Sequence, residues 1–395
     1  MNTAALGPEV ALRRVLWVLA PAITLVVATE FIVVGLLPLV AADRGVSLAE
    51  AGRLTGLFAF SAAVAGPFVT LWASRWAPRD VLAGTVLLFA AGNIVMAVAN
   101  DFTWLLVARI VQGAALPAFV SVGAAAVSSL APIEQRGRAL ANANIGFVVG
   151  VLVALPAGVA LAQGGSWRLP FFALIGLASP IFLLIRFRFP TCRPAGTPRV
   201  SEQLALLRSP VFLGHLVLSV VLFAAMFSSY TFLGAWLDRR LGLSPSEVAV
   251  ALFLFSAVGM FGNGIAGRLS DHAPLQATAV AVVILAVAAE LLRLVPHAAM
   301  YVAIPLALWS IAHTASVTLS QVRVTMAGGA SPAFAMTLNL SAANLGIAVG
   351  AFAGGWTIDR WGMRALGWGT AAFAIATVAL CVAVYVGARH VRRAA

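Results

Sequence analysis

The sequence contains no lysine, and charged residues make up only 10% of its 395 positions. Soluble domains carry about 25% charged residues, whereas this chain is 62% hydrophobic and has a mean hydropathy of +1.01. The composition therefore predicts an integral membrane protein. Without lysine the chain also has no phosphate-binding Gly-rich loop of the Gly-Lys type, so ATP-driven transport by this chain itself is not expected.

Cysteine is equally scarce. Cys192 and Cys381 are isolated in or beside apolar segments, so we expect neither a disulfide nor a metal site. The net charge of +12 comes entirely from arginine, which lies mostly in short segments between apolar runs. Arginine at those places orients membrane helices, so nucleic acid is not the expected partner. No nucleophile with a base and an orienting group is recognisable, so an enzyme is not expected, and no cofactor is either.

Apolar runs of about 20 residues, each long enough to cross a bilayer, recur along the whole chain. They predict an all-α membrane protein with twelve spans, at about 15–41, 50–73, 80–99, 103–129, 136–162, 168–187, 210–236, 246–268, 276–294, 299–322, 332–357 and 365–388. The widest gap is rich in proline and arginine, which is typical of a linker. We therefore expect an N-terminal six-helix half at 1–188, a cytoplasmic linker at 189–209 and a C-terminal half at 210–395.

The arginine distribution also predicts the orientation of the spans. If the N-terminus is cytoplasmic, the inner loops and tails hold about twice as many arginines as the outer loops. Both termini are therefore expected in the cytoplasm. The first apolar run is too long for a cleavable signal peptide and leads into further spans.

The two halves resemble copies of one another. Gly45 to Glu50 match Gly242 to Glu247 at an offset of 197 residues, which is close to half the chain. The same offset relates three further pairs, Phe58 to Phe255, Asn142 to Asn339 and Gly158 to Gly355. Repeats of this kind place a substrate site near the bilayer midplane, between halves that rock around it.

The first predicted span holds a single ionisable group in its middle, Glu30. A carboxylate at that depth costs several kcal/mol unless it is protonated, paired or facing water, so it marks a candidate functional site. A structural hydrogen bond to a neighbouring helix is the alternative interpretation.

The sequence Thr29-Glu30-Phe31, followed by Gly35 to Pro38, is similar to the acidic first-helix signature of a known family. The pattern Arg109-Ile-Val-Gln112-Gly113 in the fourth span resembles that family's Arg-x-x-Gln-Gly motif. On these motifs the chain resembles the major facilitator superfamily, and within it the twelve-helix drug:proton antiporters, which include sugar, arabinose and purine-nucleoside efflux members. The resemblance covers about residues 15–388 and implies a monomer in a bacterial inner membrane.

A third motif of the family is a charged loop after the second span, which is associated with closing one conformation. Here the loop keeps its arginines, but Ser74 stands where the family has aspartate. At the 197-residue offset Ser74 falls on Asp271, so the second half retains the acid. The resemblance assigns conformational gating to Arg75, Arg79, Gly267, Arg268 and Asp271.

The fourth motif is a glycine-rich fifth span. It contains Gly146, Gly150, Pro156 and Gly158, although Leu155 precedes the proline where the family has glycine. Small residues four apart let helix backbones approach closely. Packing alone and a role in the antiport cycle are both compatible with these residues.

Arg109 lies about six residues, or roughly 9 Å, inside the outer end of its predicted span. A guanidinium stays charged, so at that depth it needs a carboxylate, carbonyls or cavity water; snorkelling to the outer surface is the alternative. Because desolvation raises a carboxyl pKa and a nearby arginine lowers it, Glu30 and Arg109 are expected to form the proton-coupling pair if they share a cavity.

Amide and aromatic side chains in the later spans are candidates for the wall of a substrate cavity. These candidates are Asn142, Asn144, Met226, Phe227, Tyr230, Trp309, His313 and Asn339. Which of them face inward cannot be read from periodicity, because buried membrane helices are apolar all round. His313 is also compatible with a simple packing role. Glu290 and Arg293 are three residues apart, which suits a local ion pair rather than a proton relay.

These expectations combine into a proton-coupled exporter of small organic molecules, driven by the proton gradient and working by alternating access. Two alternatives stay open at this level. One is an uptake symporter on the same fold, because direction depends on how the proton and substrate sites couple. The other is a transporter-like sensor without flux, although no extra soluble domain is recognisable to carry a signal.

Overall fold

A computed structural model describes residues 8–132, 135–143, 145–163, 165–190, 206–270, 273–294, 299–329 and 332–394. Regular structure in these residues is helical throughout. The helices are α1 (Pro8–Arg44), α2 (Leu48–Val64), α3 (Gly66–Ala73), α4 (Pro78–Val98), α5 (Phe102–Leu130), α6 (Arg136–Ala143), α7 (Ile145–Ala162), α8 (Leu169–Arg188), α9 (Pro210–Tyr230), α10 (Leu233–Leu241), α11 (Pro245–Ser270), α12 (Pro274–Leu294), α13 (Ala299–Ala327), α14 (Pro332–Trp361) and α15 (Leu366–Ala394), with a 3₁₀ turn at Met363–Ala365.

Eleven stretches of the described chain are long and apolar enough to cross a membrane, and the bent pair α2–α3 makes a twelfth. The predicted all-α fold with twelve spans is therefore confirmed. The predicted second span was wrong in one respect, because it is not one continuous helix. It bends by 53° between Val64 and Gly66. Pro67 occupies the first turn of α3 and cannot donate a backbone hydrogen bond to the preceding turn, which explains the break.

The predicted seventh span is also divided. The α9 helix ends at Tyr230, where the Thr231 hydroxyl donates to the carbonyl of Phe227 at 2.7 Å. Phe232 then leaves helical geometry, with φ −109° and ψ 10°, before α10 begins at Leu233. A side-chain hydroxyl that bonds back onto its own helix competes with regular turns and favours such a break.

The sequence repeat is visible in the geometry. Gly45 and Gly242 both adopt φ +65°, a left-handed conformation that ends a helix and favours glycine. Two residues later each half starts a helix with a capping box, formed by Ser47 with Glu50 and by Ser244 with Glu247. The 197-residue offset therefore relates equivalent turns in two halves of similar architecture. The linker boundaries stay a prediction, because 191–205 fall outside the described residues.

Helices differ in how central they are. In the most apolar part of α1, 67% of residues are buried, whereas in α8 and α15 the figure is 28%. The halves meet where α2 packs on α14, α7 on α11 and α1 on α10. The helix α1 is therefore a central element, packed against its own half and against the other, and α8 and α15 are peripheral.

We call the end of the bundle that holds the turns at Gly45 and Gly242 the far end, and the end where α1 and α9 begin the terminal end. Contacts that join the halves lie from the middle to the far end. The ring of Phe232 lies against Gly52 and Gly354, and the ring of Phe352 lies against Gly56. At the far rim Ser246 donates a hydrogen bond to Gln163 at 2.9 Å. The structure is therefore closed at the far end.

Candidate functional site

Glu30 lies in the middle of α1, 14 residues before the helix ends at Arg44, which corresponds to about 21 Å. Its side chain is only partly buried. No described residue donates a hydrogen bond to its carboxylate. An acid on the most central helix, at membrane depth and without a protein partner, is free to exchange a proton or to meet a ligand.

Arg109 is fully buried and holds the backbone of α1 and α2 around Glu30. Its guanidinium donates to the carbonyls of Thr29 at 2.9 Å and of Glu30 at 2.9 Å, and to that of Leu54 at 3.1 Å. One face of the guanidinium lies 4.1 Å from the centre of the Phe58 ring. Snorkelling is excluded by this burial. Among the described residues Arg109 binds the main chain of Glu30, not its carboxylate.

A network of neutral polar side chains continues from Arg109 toward α4. Gln112 donates to the Phe89 carbonyl at 3.1 Å and to the Asn93 side chain at 3.2 Å. Asn93 in turn donates to the Thr29 hydroxyl at 3.2 Å. The side chains of Gln112, Asn93 and Thr29 are fully buried, and Phe89 contributes only its backbone carbonyl. Satisfied polar networks of this kind fix the relative positions of helices, here α1, α2, α4 and α5.

The glycine-rich face of α7 packs directly on α1. A Cβ at Gly146 would lie 2.2 Å from the Ala20 carbonyl, and one at Gly158 would lie 2.5 Å from the Ile32 side chain. Gly150 is similarly tight against Val27, at 2.9 Å. Pro156 on the same helix is half-buried. These glycines therefore pack the helix that carries Glu30, which supports the packing interpretation of the motif.

Aromatic side chains face α1 from the C-terminal half. We call Phe227, Tyr230, Phe255, Trp309 and His313 the ring cluster. The closest rings are Tyr230 and His313, with centroids 4.6 Å apart, and Phe227 contacts Phe31 of α1 at 6.5 Å. All five are buried, and two polar atoms among them, His313 Nδ1 and Trp309 Nε1, have no hydrogen-bond partner in the described structure.

The ring cluster contains four of the predicted cavity residues, and Phe255, which the sequence marked only as a repeat position. Met226 is fully buried in the core beside the cluster. Phe227 stands at the 197-residue offset from Glu30. Glu30 on α1 and Phe227 on α9 therefore occupy equivalent places in the two halves.

The predicted asparagines do not join the ring cluster. Asn142 is exposed on α6, and Asn144 lies outside the described residues. Asn339 is buried toward the terminal end of α14, where its side chain accepts a hydrogen bond from Ser320 at 3.1 Å. A place for Asn339 in the substrate wall stays a prediction, because the structure shows its oxygen bonded within a separate polar cluster.

That second cluster surrounds Arg323, which the sequence analysis missed. Arg323 is 1% exposed and donates to the carbonyl of His215 at 3.0 Å, to its ring Nδ1 at 3.1 Å and to the Ser219 hydroxyl at 3.3 Å. The predicted tenth span ended at 322, one residue before Arg323. In the structure α13 continues to Ala327 and carries the guanidinium into the bundle.

The predicted gating residues lie at the terminal end of the bundle. Arg75 is exposed, and Arg79 is 3.8 Å from Asp80 of the same turn, an acid that the sequence analysis did not use. In the C-terminal half Gly267 has open space around it and Arg268 is exposed, whereas Asp271 lies outside the described residues. Among the described members of this set, Arg75, Arg79, Gly267 and Arg268, no ion pair joins the two halves.

No group of three His, Cys, Asp or Glu side chains within the described ranges is placed to hold a metal ion. The predicted ion pair of Glu290 and Arg293 is confirmed, with 2.7 Å between Arg293 Nε and Glu290 Oε2.

Two helical halves related by a repeat, with spans that cross the membrane, are typical of a membrane transporter. The family model described as Major Facilitator Superfamily matches residues 19–331. The chain belongs to the major facilitator superfamily, as its motifs indicated, and it is not an enzyme.

Relatives and solved structures agree with this assignment. The chain is 35% identical to the chloramphenicol resistance protein of Streptomyces lividans over 270 residues, which cover 67% of this chain and 69% of the relative. It is 30% identical to the inner membrane transport protein YdhP of Escherichia coli K12, with 84% and 85% covered. The fold is similar to a bacterial homologue of the lysosomal transporter Spinster in an inward-facing, occupied conformation, with a TM-score of 0.74, 20% identity and 94% of each chain covered.

Proposed function

We propose that the protein is a proton-coupled exporter of small organic molecules in a bacterial inner membrane, with Glu30 as the proton carrier. The observation that carries the proposal is a partly exposed acid on the central helix, one residue before Phe31, which contacts the buried ring cluster through Phe227. The similarity to a chloramphenicol resistance protein supports export and a drug-like substrate.

Alternating access supplies the transport step. With the arginine-rich loops in the cytoplasm, the terminal end is the cytoplasmic end, and the closed far end makes this the inward-facing state. A substrate then enters from the cytoplasm between the halves and meets Glu30 and the ring cluster near the middle of the membrane. Rocking of the halves must break the far-end contacts of Phe232 and Phe352 before the substrate leaves.

The proton and the substrate compete for one place in this scheme. A bound solute that places a positive charge or hydrogen-bond donors on the Glu30 carboxylate favours its charged form, so substrate binding displaces the proton. Protonated Glu30 therefore favours the substrate-free site, and charged Glu30 favours the substrate-bound site. Arg109 does not compete for the carboxylate, since its donors are used on backbone carbonyls; it acts as a positioning residue for the helix segment that bears Glu30.

The proton gradient provides enough free energy. One charge moving through 100 mV yields about 2.3 kcal/mol, and each pH unit adds about 1.4 kcal/mol. One proton per cycle at 100 mV therefore sustains a gradient of roughly 50-fold for a neutral substrate.

The chemistry of the site favours neutral or cationic solutes with aromatic surface. The only charged side chain that is open to a ligand in this part of the described structure is the acid Glu30, and the opposite wall consists of rings. Aromatic solutes gain about 0.5–1.5 kcal/mol from each well-placed ring pair beyond simple burial.

Proton flux in proteoliposomes tests the proposal. An imposed pH gradient is followed while antibiotics, sugars and nucleosides are added to wild type and to Glu30→Gln. We expect substrate-dependent proton movement in the wild type and none in the variant, with substrate binding still measurable. Full coupled export by Glu30→Gln would contradict the assignment of the proton carrier. A comparison of inverted with right-side-out vesicles decides the direction of substrate transport.

A further inference from the structure

A pocket opens at the far end of the C-terminal half, away from Glu30 and the contact between the halves. It has an empty volume of about 260 Å³, including space open to solvent, and lies between α9, α10, α12, α13 and the start of α15. Its polar lining includes Arg293, Trp309 and Arg364.

The pocket has an excess of positive charge. Arg293 and Arg364 both line it, and Glu290 is the acid that meets them, through Arg293 Nε at 2.7 Å. Arg364 is exposed and has no ion pair with any described residue. Two guanidinium groups beside one carboxylate leave an excess of one cation. The first turn of α15, at Leu366 and Gly367, adds the positive end of a long helix to the same wall.

Comparison with the first half gives an independent reason to expect a ligand. At the 197-residue offset Asn93 and Gln112 correspond to Glu290 and Trp309. The amide pair is hydrogen-bonded at 3.2 Å, whereas the Trp309 Nε1 donor is buried without a partner in the described structure. Glu290 Oε1 also has no partner, but it is an acceptor that calls for an arginine donor and not for an anion. Buried unpartnered polar atoms are rare in native proteins, because each costs about 1–3 kcal/mol. This repeat position therefore carries, in the second half, a buried polar atom without a hydrogen-bond partner.

The depth of the pocket in the membrane indicates the source of the ligand. Three exposed tryptophans lie beside it in sequence, on the end of α14, the following turn and the start of α15. Their rings are in contact, with Trp356 to Trp361 at 4.8 Å and Trp361 to Trp368 at 5.8 Å. Exposed tryptophan clusters mark the level of the lipid headgroups.

We propose that this pocket binds a phosphate group, supplied by the headgroup of an anionic membrane lipid in the leaflet at the far end. Arg364 and Arg293 donate to the phosphate oxygens as charge-assisted hydrogen bonds, and a small movement of Trp309 brings its indole N–H to the same group. The lipid thereby ties α12, α13 and α15 together behind the ring cluster. This inference is independent of proton coupling and of substrate identity.

Thermal unfolding of the purified full chain in detergent tests the site. The probes are phosphatidylglycerol, a diacylglycerol with the same acyl chains but no phosphate, and inorganic phosphate. We expect only phosphatidylglycerol to raise the unfolding midpoint. In Arg364→Gln the concentration for half-maximal stabilisation should rise by about tenfold or more, the loss typical of one charge-assisted hydrogen bond.

Arg360→Gln is the matched control, because Arg360 is an exposed arginine on the end of α14 that does not line the pocket. It should respond like the wild type. Trp309→Phe keeps the ring but removes the N–H, and it should weaken the response as well. Equal stabilisation of wild type and Arg364→Gln would overturn the site, and stabilisation by inorganic phosphate to the same extent would overturn the lipid as its ligand.

Discussion

The two halves share turns, caps and helix packing, but they differ in what they place at the centre of the membrane. The first half holds Glu30 and the guanidinium of Arg109 within a hydrogen-bonded network. At the positions equivalent to Glu30 and Arg109 the second half holds Phe227 and Leu306, and the buried indole of Trp309 stands where the first half has Gln112. The duplicated scaffold therefore carries a charged half and an aromatic half.

This difference shows that the two copies of the repeat have different roles. A proton carrier needs an exact backbone position and controlled access to water, which a satisfied polar network provides. A wall for varied organic solutes needs apolar surface with few fixed directional contacts, which rings provide. Arg323 shows that the second half also buries a guanidinium, but near the terminal end and away from the rings.

The largest effect is expected from removing the first-half network. Arg109→Ala leaves a cavity and takes away hydrogen bonds to three carbonyls, so we expect a loss of about 3 kcal/mol or more of stability and loss of coupled transport. The unfolding midpoint measures the loss of stability, and proton flux measures the loss of coupled transport. Arg109→Lys should recover only part, because an ammonium lacks the planar fork.

Arg323→Ala is the matched change in the second half. It should lower the unfolding midpoint but retain substrate-dependent proton flux, since Arg323 contacts His215 and Ser219 and not the helix of Glu30. Equal loss of flux in both alanine variants, at equal folded yield, would remove the distinction between the halves.

The next effect concerns the contact between the halves. In Gly52→Ala the new Cβ would lie 2.6 Å from the Phe232 ring, which Gly354 confines on its other side. Overpacking of about 1–3 kcal/mol should shift the population toward the state open at the far end. Thiol labelling from the far side of a cysteine at Ala49, which is half-buried against Gly355 of the other half, should accelerate about 5-fold or more.

Gly84→Ala controls for the substitution itself, because nothing lies within 4 Å of a Cβ at that position. It should label at the rate of the parent. Unchanged labelling in Gly52→Ala would mean that the glycine contact does not hold the far end closed.

A moderate effect is expected in the ring cluster. Phe255→Leu should weaken the binding of an aromatic substrate by roughly 2- to 10-fold, because one ring of the cluster can no longer pair with the substrate. Its counterpart Phe58→Leu removes the ring over Arg109 and should affect stability instead. Equilibrium binding and unfolding midpoints, measured on both variants, separate the two roles.

The smallest effect should be equal in the two halves. Ser47→Ala and Ser244→Ala each remove one capping interaction at the far end, and each should lower the unfolding midpoint by roughly 1–3 °C. Clearly unequal shifts would show that the equivalent caps do not contribute alike.

Much of this architecture could be predicted from the sequence. Twelve apolar runs and one offset of 197 residues predicted the spans and the repeat, because lipid forces long apolar helices and duplication preserves turn residues. The isolated acid in an apolar span identified Glu30 for the same reason. The breaks after Val64 and Tyr230 were not predicted, although Pro67 was a usable signal for the first.

The facing of side chains could not be predicted. Spans that are apolar all round carry no periodic signal, so the contact of Asn339 with Ser320 could not be anticipated. Arg323 was missed because arginine near a predicted helix end is the expected loop residue. The carbonyl partners of Arg109 depend on a helix crossing that no local pattern encodes.

The central claim is that Glu30 exchanges its proton for substrate. The most direct test measures protons released when substrate binds to the purified protein in weakly buffered detergent solution, for wild type and Glu30→Gln. We predict release of up to about one proton per bound substrate in the wild type, since one carboxyl titrates, and none in the variant that still binds. Equal release from both would contradict the account.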